Sequence, residues 1–285
     1  MSNNFYQTKR LKDEVFKYFG LACTFFGLIM LVIFIFGIFK DGFSRISWDF
    51  IINYPSRNAE KAGIISALAG TLWVIVITSL VAIPIGIGAA IYLEEFARQS
   101  RIGKILEINI SNLAGVPSII YGLLGLEIFG RIMGMGGSIL AGSCTLALLI
   151  LPIIIVATRE AVKAVPKSLR EASFALGASK WQTIKTTVVP AAASSIITGV
   201  IIALSRAIGE AAPLIVVGAL AYVPFVPTSA TSDFTVLPIQ IFNWVSRPQK
   251  AFLINASAGI IILLSITFLL NAVAVYLRIK NKIKY

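Results

Sequence analysis

The chain has 285 residues, 57% of them hydrophobic and only 13% charged, with a mean hydropathy of +0.87, which excludes an ordinary soluble domain and reads as a polytopic membrane protein. Its net charge of +12 would suit nucleic acid, but the placement of that charge in the loops gives it a topological role instead. There is no histidine, which removes Ser-His-Asp catalysis and His-ligated zinc; the two cysteines, Cys23 and Cys144, fall in apolar runs, so neither a disulfide framework nor a metal site is expected.

Residues 1–63 are expected to form a polar, basic N-terminal segment, a first transmembrane helix over Phe19–Phe39, and an outer loop carrying Trp48, Tyr54 and Pro55. The apolar run is long enough to cross a bilayer, which takes about 20 residues, and no small-residue cleavage site follows it. Residues 64–277 read as a core transmembrane domain. Its spans fall at Ile64–Leu93, Ile108–Phe129, Ser138–Thr158, Ala191–Leu220 and Ile254–Leu277. Pro84 permits a kink in the second span. Pro117, with Gly115 and Gly122 beside it, marks a bent, closely packed third span. An outer loop from Ala221 to Leu253 is rich in proline and aromatic residues, and its LPIQIFNWV stretch, Leu237–Val245, is expected as a short amphipathic helix at the interface. A basic tail, 278–285, carries Arg278, Lys280, Lys282 and Lys284.

Basic residues gather in the N-terminal segment, the 94–107 turn, the 159–190 loop and the tail, and are sparse in the other loops. The positive-inside rule therefore predicts an all-α integral membrane protein of six transmembrane helices with both termini in the cytoplasm. The 159–190 loop is the longest polar stretch on that side. Ser168 with Glu171, and Ser179 with Gln182, have the spacing of two capping boxes; Gly177 is placed to break between two short helices and Pro190 to close the segment. Leu169, Ala172 and Leu176 share one face of the first helix, Trp181 and Ile184 one face of the second. Such a hairpin suits either a partner's groove or the membrane surface.

Glu171-Ala172-Ser173, Gly177 and Val189-Pro190 resemble the EAA loop of the permeases of ABC importers, with Ser173 in place of the third alanine and Val189 in place of leucine before the proline. The resemblance implies an ABC-importer (MetI-like) permease fold in which Glu171, Ala172, Ser173, Leu176, Gly177 and Pro190 couple the chain to a cytoplasmic ATPase. No phosphate-binding loop of the G-x-x-x-x-G-K-[ST] type is present, so energy has to arrive from a partner.

The fifth span contains Arg206 and Glu210, four residues apart and so on one helix face, with Pro213 one turn beyond. Ionisable side chains in a span are costly and face protein or water. From the residues alone, a mutually neutralising pair and an anion site with the Arg206 fork facing oxyanion oxygens are equally open. The R-A-x-G-E-x-A-P run at Arg206–Pro213, LAGVPSIIYGLLG at Leu113–Gly125 and LPIQIFNW at Leu237–Trp244 resemble the permease subunits of phosphate (Pst) importers, most closely the PstA type.

That likeness implies a bacterial or archaeal cytoplasmic (inner) membrane protein, with Arg206, Glu210 and Pro213 on the translocation path for inorganic phosphate. It also implies a companion PstC-like permease, a PstB-like ATPase dimer carrying ATP and magnesium, and a PstS-like external phosphate-binding protein. The chain itself would need lipid but no cofactor, metal or nucleic acid. The competing readings are the PstC-type sister subunit, a permease for another oxyanion such as sulfate or molybdate, and a secondary transporter or channel.

Overall fold

A computed structural model describes residues 2–98, 100–220 and 222–280; Lys282 and Lys284 of the expected basic tail, and Ala221 at the start of the expected outer loop, lie outside the described residues. Apart from one isolated bridge the described secondary structure is helical. Among the described residues five helices are long and apolar enough to cross a membrane, or up to six if one sharply bent pair counts as a span.

Helix α1, Ser2–Gly42, carries the first apolar run and extends it back through the polar N-terminal segment. It stands largely free of the bundle along its apolar length and meets it at Gly42, where an added Cβ would come within 2.6 Å of the Ser257–Ala258 backbone. The short α2, Trp48–Ile52, is capped by Ser47, which accepts from the Phe50 amide. Arg45 fixes the outer loop to the last span: its guanidinium donates to Asn255 Oδ1 and to the carbonyls of Ala59, Glu60 and Ala62.

Helix α3, Ile65–Ile91, holds Pro84 on an exposed face and ends in a π-helical turn, Tyr92–Phe96. The expected third span does not form one bent helix. It divides into α4, Arg101–Leu113, and α5, Ser118–Gly125, the latter prolonged by a π-helical turn to Ile132, and the two segments turn by 107°. Proline disfavours a helical residue before it, so Val116-Pro117 ends one helix and starts the next. Tyr121 Oη donates to Leu113 O across the corner at 2.7 Å.

Helix α6, Ile139–Lys163, is the buried centre of the bundle. Its Ile139, Leu146, Ile150 and Ile154 pack with Val74 and Ala82 of α3 and with residues of the helices that follow. Two short helices, α7 (Lys167–Ala175) and α8 (Lys180–Thr183), lead through a π-helical turn into α9, Val189–Gly209. Pro190 therefore does not close the hairpin: it sits in the first turn of α9, where a missing amide is tolerated.

The expected fifth span also stops early. Glu210 is extended (φ −79°, ψ 126°), and a separate α10, Ala212–Val217, starts with Pro213 in its first turn. Proline clashes with the carbonyl four residues back, here Gly209, which is where α9 ends. The loop beyond α10 then folds over the start of α6, with Ile139 N donating to Ser232 O and Leu140 N to Ala230 O. Helix α11, Leu237–Val245, forms over the expected residues: Leu237 and Trp244 are fully buried against α3 and α12 (Lys250–Lys280), while Phe242 and Val245 are exposed.

Candidate coupling hairpin and translocation site

The 166–190 hairpin begins at Pro166, whose extended conformation starts α7 without a side-chain cap, so the expected Ser168–Glu171 capping box does not form. The second box does: Ser179 N donates to Gln182 Oε1 at 2.8 Å while Ser179 Oγ accepts from Gln182 N. Between the helices Gly177 adopts φ +83°, its amide donating to Phe174 O, and the Ala178 amide donates to Ser173 O at 3.2 Å. These two bonds form the Schellman motif that only a left-handed residue closes without strain. Ser173 has a use that alanine would lack: its hydroxyl meets Thr183 Oγ1 at 3.0 Å and joins the two helices.

A set of ion pairs that the sequence reading missed ties this hairpin to the spans. Arg170 donates to Val165 O (2.7 Å), Val162 O (2.8 Å) and Glu95 Oε1 (3.1 Å). Lys180 donates to Glu95 O and stands 4.5 Å above the Phe96 ring. Next to it Glu94, with its side chain 2% exposed, accepts from Arg159 at 3.2 Å and pairs with Arg98 at 3.3 Å; Arg159 reaches on to Glu107 at 2.9 Å. The π-helical turn after α3, and α4, α6 and α7, thus share one charged knot. The signal available in sequence was the Glu94-Glu95 pair at the end of an apolar span beside a basic loop, where buried charges need partners.

Beside and beyond this latch the hairpin is bare. Leu176 is 89% exposed, Trp181 63% and Phe174 47%, and Glu171 is exposed with no ion partner among the described residues. Ala172 is exposed with them, whereas Leu169 and Ile184 turn inward. A cleft of about 480 Å³ runs beside Phe174 and Glu171, lined by Glu94, Phe96, Arg98 and Arg170. Exposed apolar side chains with a free carboxylate beside them mark a surface that meets either another protein or the membrane.

The second set of residues gathers at the end of α9. Arg206 Nε and Glu210 Oε1 are 3.4 Å apart, with side chains 42% and 18% exposed. The pair therefore forms, but at a separation that leaves most of the guanidinium donors free. Pro213 lies under α5: a Cβ on Gly122 would come within 2.8 Å of the Pro213 backbone, so α5 and α10 touch there. Gly115 approaches no neighbouring helix; a Cβ there would meet only Asn112 O at 3.5 Å. Adjacent Ser205 bonds Asn271 Oδ1 of α12 at 2.6 Å, fixing α9 to the last span. Among the described residues no group of three histidine, cysteine, aspartate or glutamate side chains is placed to hold a metal ion.

Residues 82–281 match the family described as "Binding-protein-dependent transport system inner membrane component". The chain belongs to this family. Its relatives include the probable ABC transporter permease protein YqgI of Bacillus subtilis, 32% identical over 89% of this chain and 91% of that one. The phosphate transport system permease protein PstA of Yersinia pestis is 32% identical over 96% and 92%.

The fold recurs in a bacterial ABC transporter involved in the import of alginate, with a TM-score of 0.68 at 14% identity over 98% of this chain and 99% of that one. It recurs too in the MetNI methionine ABC transporter in its inward-facing form, with a TM-score of 0.61 at 17% identity over 78% and 95%. As a member of the family the chain is a multi-pass inner-membrane permease rather than an enzyme. The family works with a partner permease, an ATPase and a binding protein.

Proposed function

We propose that this chain is the PstA-type permease subunit of an ATP-driven importer of inorganic phosphate, oriented with both termini and the α7–α8 hairpin in the cytosol. The observation that carries the choice of substrate is Arg206, a permanent cation at the break between α9 and α10, whose one ion partner among the described residues is Glu210 at 3.4 Å. A planar guanidinium with free donors suits a tetrahedral oxyanion, and Glu210 competes with the anion for it, so that phosphate binds and also leaves. The likeness to PstA relatives over nearly the whole chain supports the same reading.

In this account the bare Phe174, Leu176 and Trp181 surface seats a PstB-like ATPase, which carries the nucleotide and magnesium. Closure of the ATPase dimer moves the hairpin. Arg170, Lys180 and the Glu94–Arg159–Glu107 knot pass that movement to α3, α4 and α6. A PstC-like subunit supplies the other half of the path and a PstS-like protein delivers phosphate from outside.

The test is uptake of radiolabelled phosphate by the assembled transporter, with sulfate and molybdate as competitors. Arg206→Gln inserts and assembles normally but loses uptake; uptake at the wild-type rate would refute the path assignment. Competition by sulfate or molybdate as strong as that by phosphate would instead favour a permease for another oxyanion.

A further inference from the structure

Helix α4 has three faces with three different surroundings. Gly103, Glu107 and Ile110 face the bundle: Gly103 lies against Ala97, Glu107 pairs with Arg159, and Ile110 packs beside Ala90, Leu93 and Ile155. Ile102, Ile105, Leu106 and Leu113, spaced i, i+3, i+4 and i+11, form an apolar stripe, interrupted by Asn109, that no described residue covers, with Ile102 71% and Ile105 59% exposed. Lys104, Ser111 and the exposed Ile108 fall on the third face, with Arg101 at its edge. Neither Arg101 nor Lys104 has a carboxylate partner among the described residues.

The position of α4 in the fold decides what meets that stripe. Segment Ser118–Ile132 packs lengthwise on the bundle, Gly122 against Pro213 and Gly125 against Thr145, and so runs with the spans. Helix α4 turns from it by 107° and therefore lies across the spans, close to the membrane plane. Its level is set by Glu107, bonded to Arg159, which lies one turn, roughly 6 Å, inside the end of α6. With the end of α6 at the membrane surface, as in the orientation proposed above, that is the depth of the boundary between acyl chains and headgroups. A helix lying in that boundary places an apolar stripe among the chains and cations at headgroup level.

We propose that α4 is an interfacial helix that binds anionic phospholipid, with Ile102, Ile105, Leu106 and Leu113 inserted among the acyl chains and Arg101 and Lys104 paired with lipid phosphates. The knot of Glu107, Arg159 and Glu94 then joins the lipid surface directly to the hairpin latch, so that the helix is the fixed point against which the hairpin moves. In the orientation proposed above the leaflet is the cytoplasmic one, whose anionic headgroups complement two unpaired cations.

The assembled transporter, with Cys23→Ala and Cys144→Ala, is reconstituted into vesicles of phosphatidylcholine and phosphatidylglycerol, and spin labels are placed at Ile105→Cys or Ser111→Cys. The label at 105 is relaxed by oxygen and hardly by a water-soluble nickel chelate; the label at 111 shows the reverse. Arg101→Gln/Lys104→Gln lowers the phosphatidylglycerol retained on purification, by about fivefold for each charge removed. A label at 105 shielded from both reagents means that a partner subunit covers the stripe, and one open to the chelate means that it lies in water; either overturns the proposal. Unchanged phosphatidylglycerol in the double variant overturns the headgroup assignment. Both readouts are independent of the transported substrate and, in vesicles with the same lipids in both leaflets, of the sidedness of the chain.

Discussion

Replacing Arg170 by methionine keeps the bulk of the side chain and deletes the latch between the hairpin and the spans. Three interactions go with it: bonds to the carbonyls of Val165 and Val162, and the 3.1 Å pair with Glu95. The two side chains are 19% and 13% exposed, so Glu95 is left partly desolvated and unpaired. Breaking a fully buried pair costs about 3–5 kcal/mol, and the residual exposure here brings the expected local cost to about 2–3 kcal/mol.

That cost falls on docking of the hairpin rather than on the bundle, because α7 has no fully buried residue and meets the core through the half-buried Leu169. Hydrogen exchange is the direct assay: amides of residues 167–183 should lose protection by roughly 30- to 150-fold while those of α6 stay unchanged. Adding Glu95→Gln removes the orphaned charge and should recover part of the loss. Unchanged exchange in the single variant would refute the claim that Arg170 holds the hairpin.

Gly177→Val acts through the backbone, not through space, since a Cβ there meets nothing within 4 Å at φ +83°. It should cost more than 1 kcal/mol of hairpin order, seen as loss of ATPase in co-purification with membrane insertion intact. Trp181→Ala together with Leu176→Ala should also lose the ATPase while exchange in the hairpin stays at wild-type protection, because both side chains are exposed; retained association would remove these residues from the docking surface. Gly122→Val meets the Pro213 backbone at 2.8 Å from its Cβ and should lower thermal stability by an overpacking cost of about 1–3 kcal/mol, whereas Gly115→Ala, in open space, should leave it near wild type.

The spans centred on α3, α6 and α12 were legible because a long apolar run has one stable form in lipid: a helix with every backbone bond made internally. The second capping box and the glycine at 177 were legible for a local reason, since both depend on residues within one turn. The first box failed because Pro166 takes the cap position of α7 two residues before Ser168, which then lies inside the helix.

Proline signals were read at the right residues but with the wrong consequence. Pro117 breaks its span by 107° instead of bending it, and Pro213 ends α9 four residues upstream, at Gly209. How far a helix yields depends on what catches the freed backbone, here Tyr121 and the facing α5–α10 contact, and those are tertiary. The burial of α11 was hidden in the same way, because its apolar face fits a membrane surface and the α12 groove equally well. The pairing within the latch was not legible, since Arg159 lies 65 residues from Glu94 and Arg170 lies 75 from Glu95, and only the fold brings them together.

The central claim is that the α7–α8 hairpin faces the cytosol and is covered there by a motor protein. Its most direct test is a thiol at Leu176→Cys, in a chain without Cys23 and Cys144, probed with a membrane-impermeant maleimide on sealed vesicles of each orientation. The account predicts labelling only from the cytosolic side, and protection when the ATPase is bound. Labelling from the opposite face, or equal labelling with and without the ATPase, would contradict it.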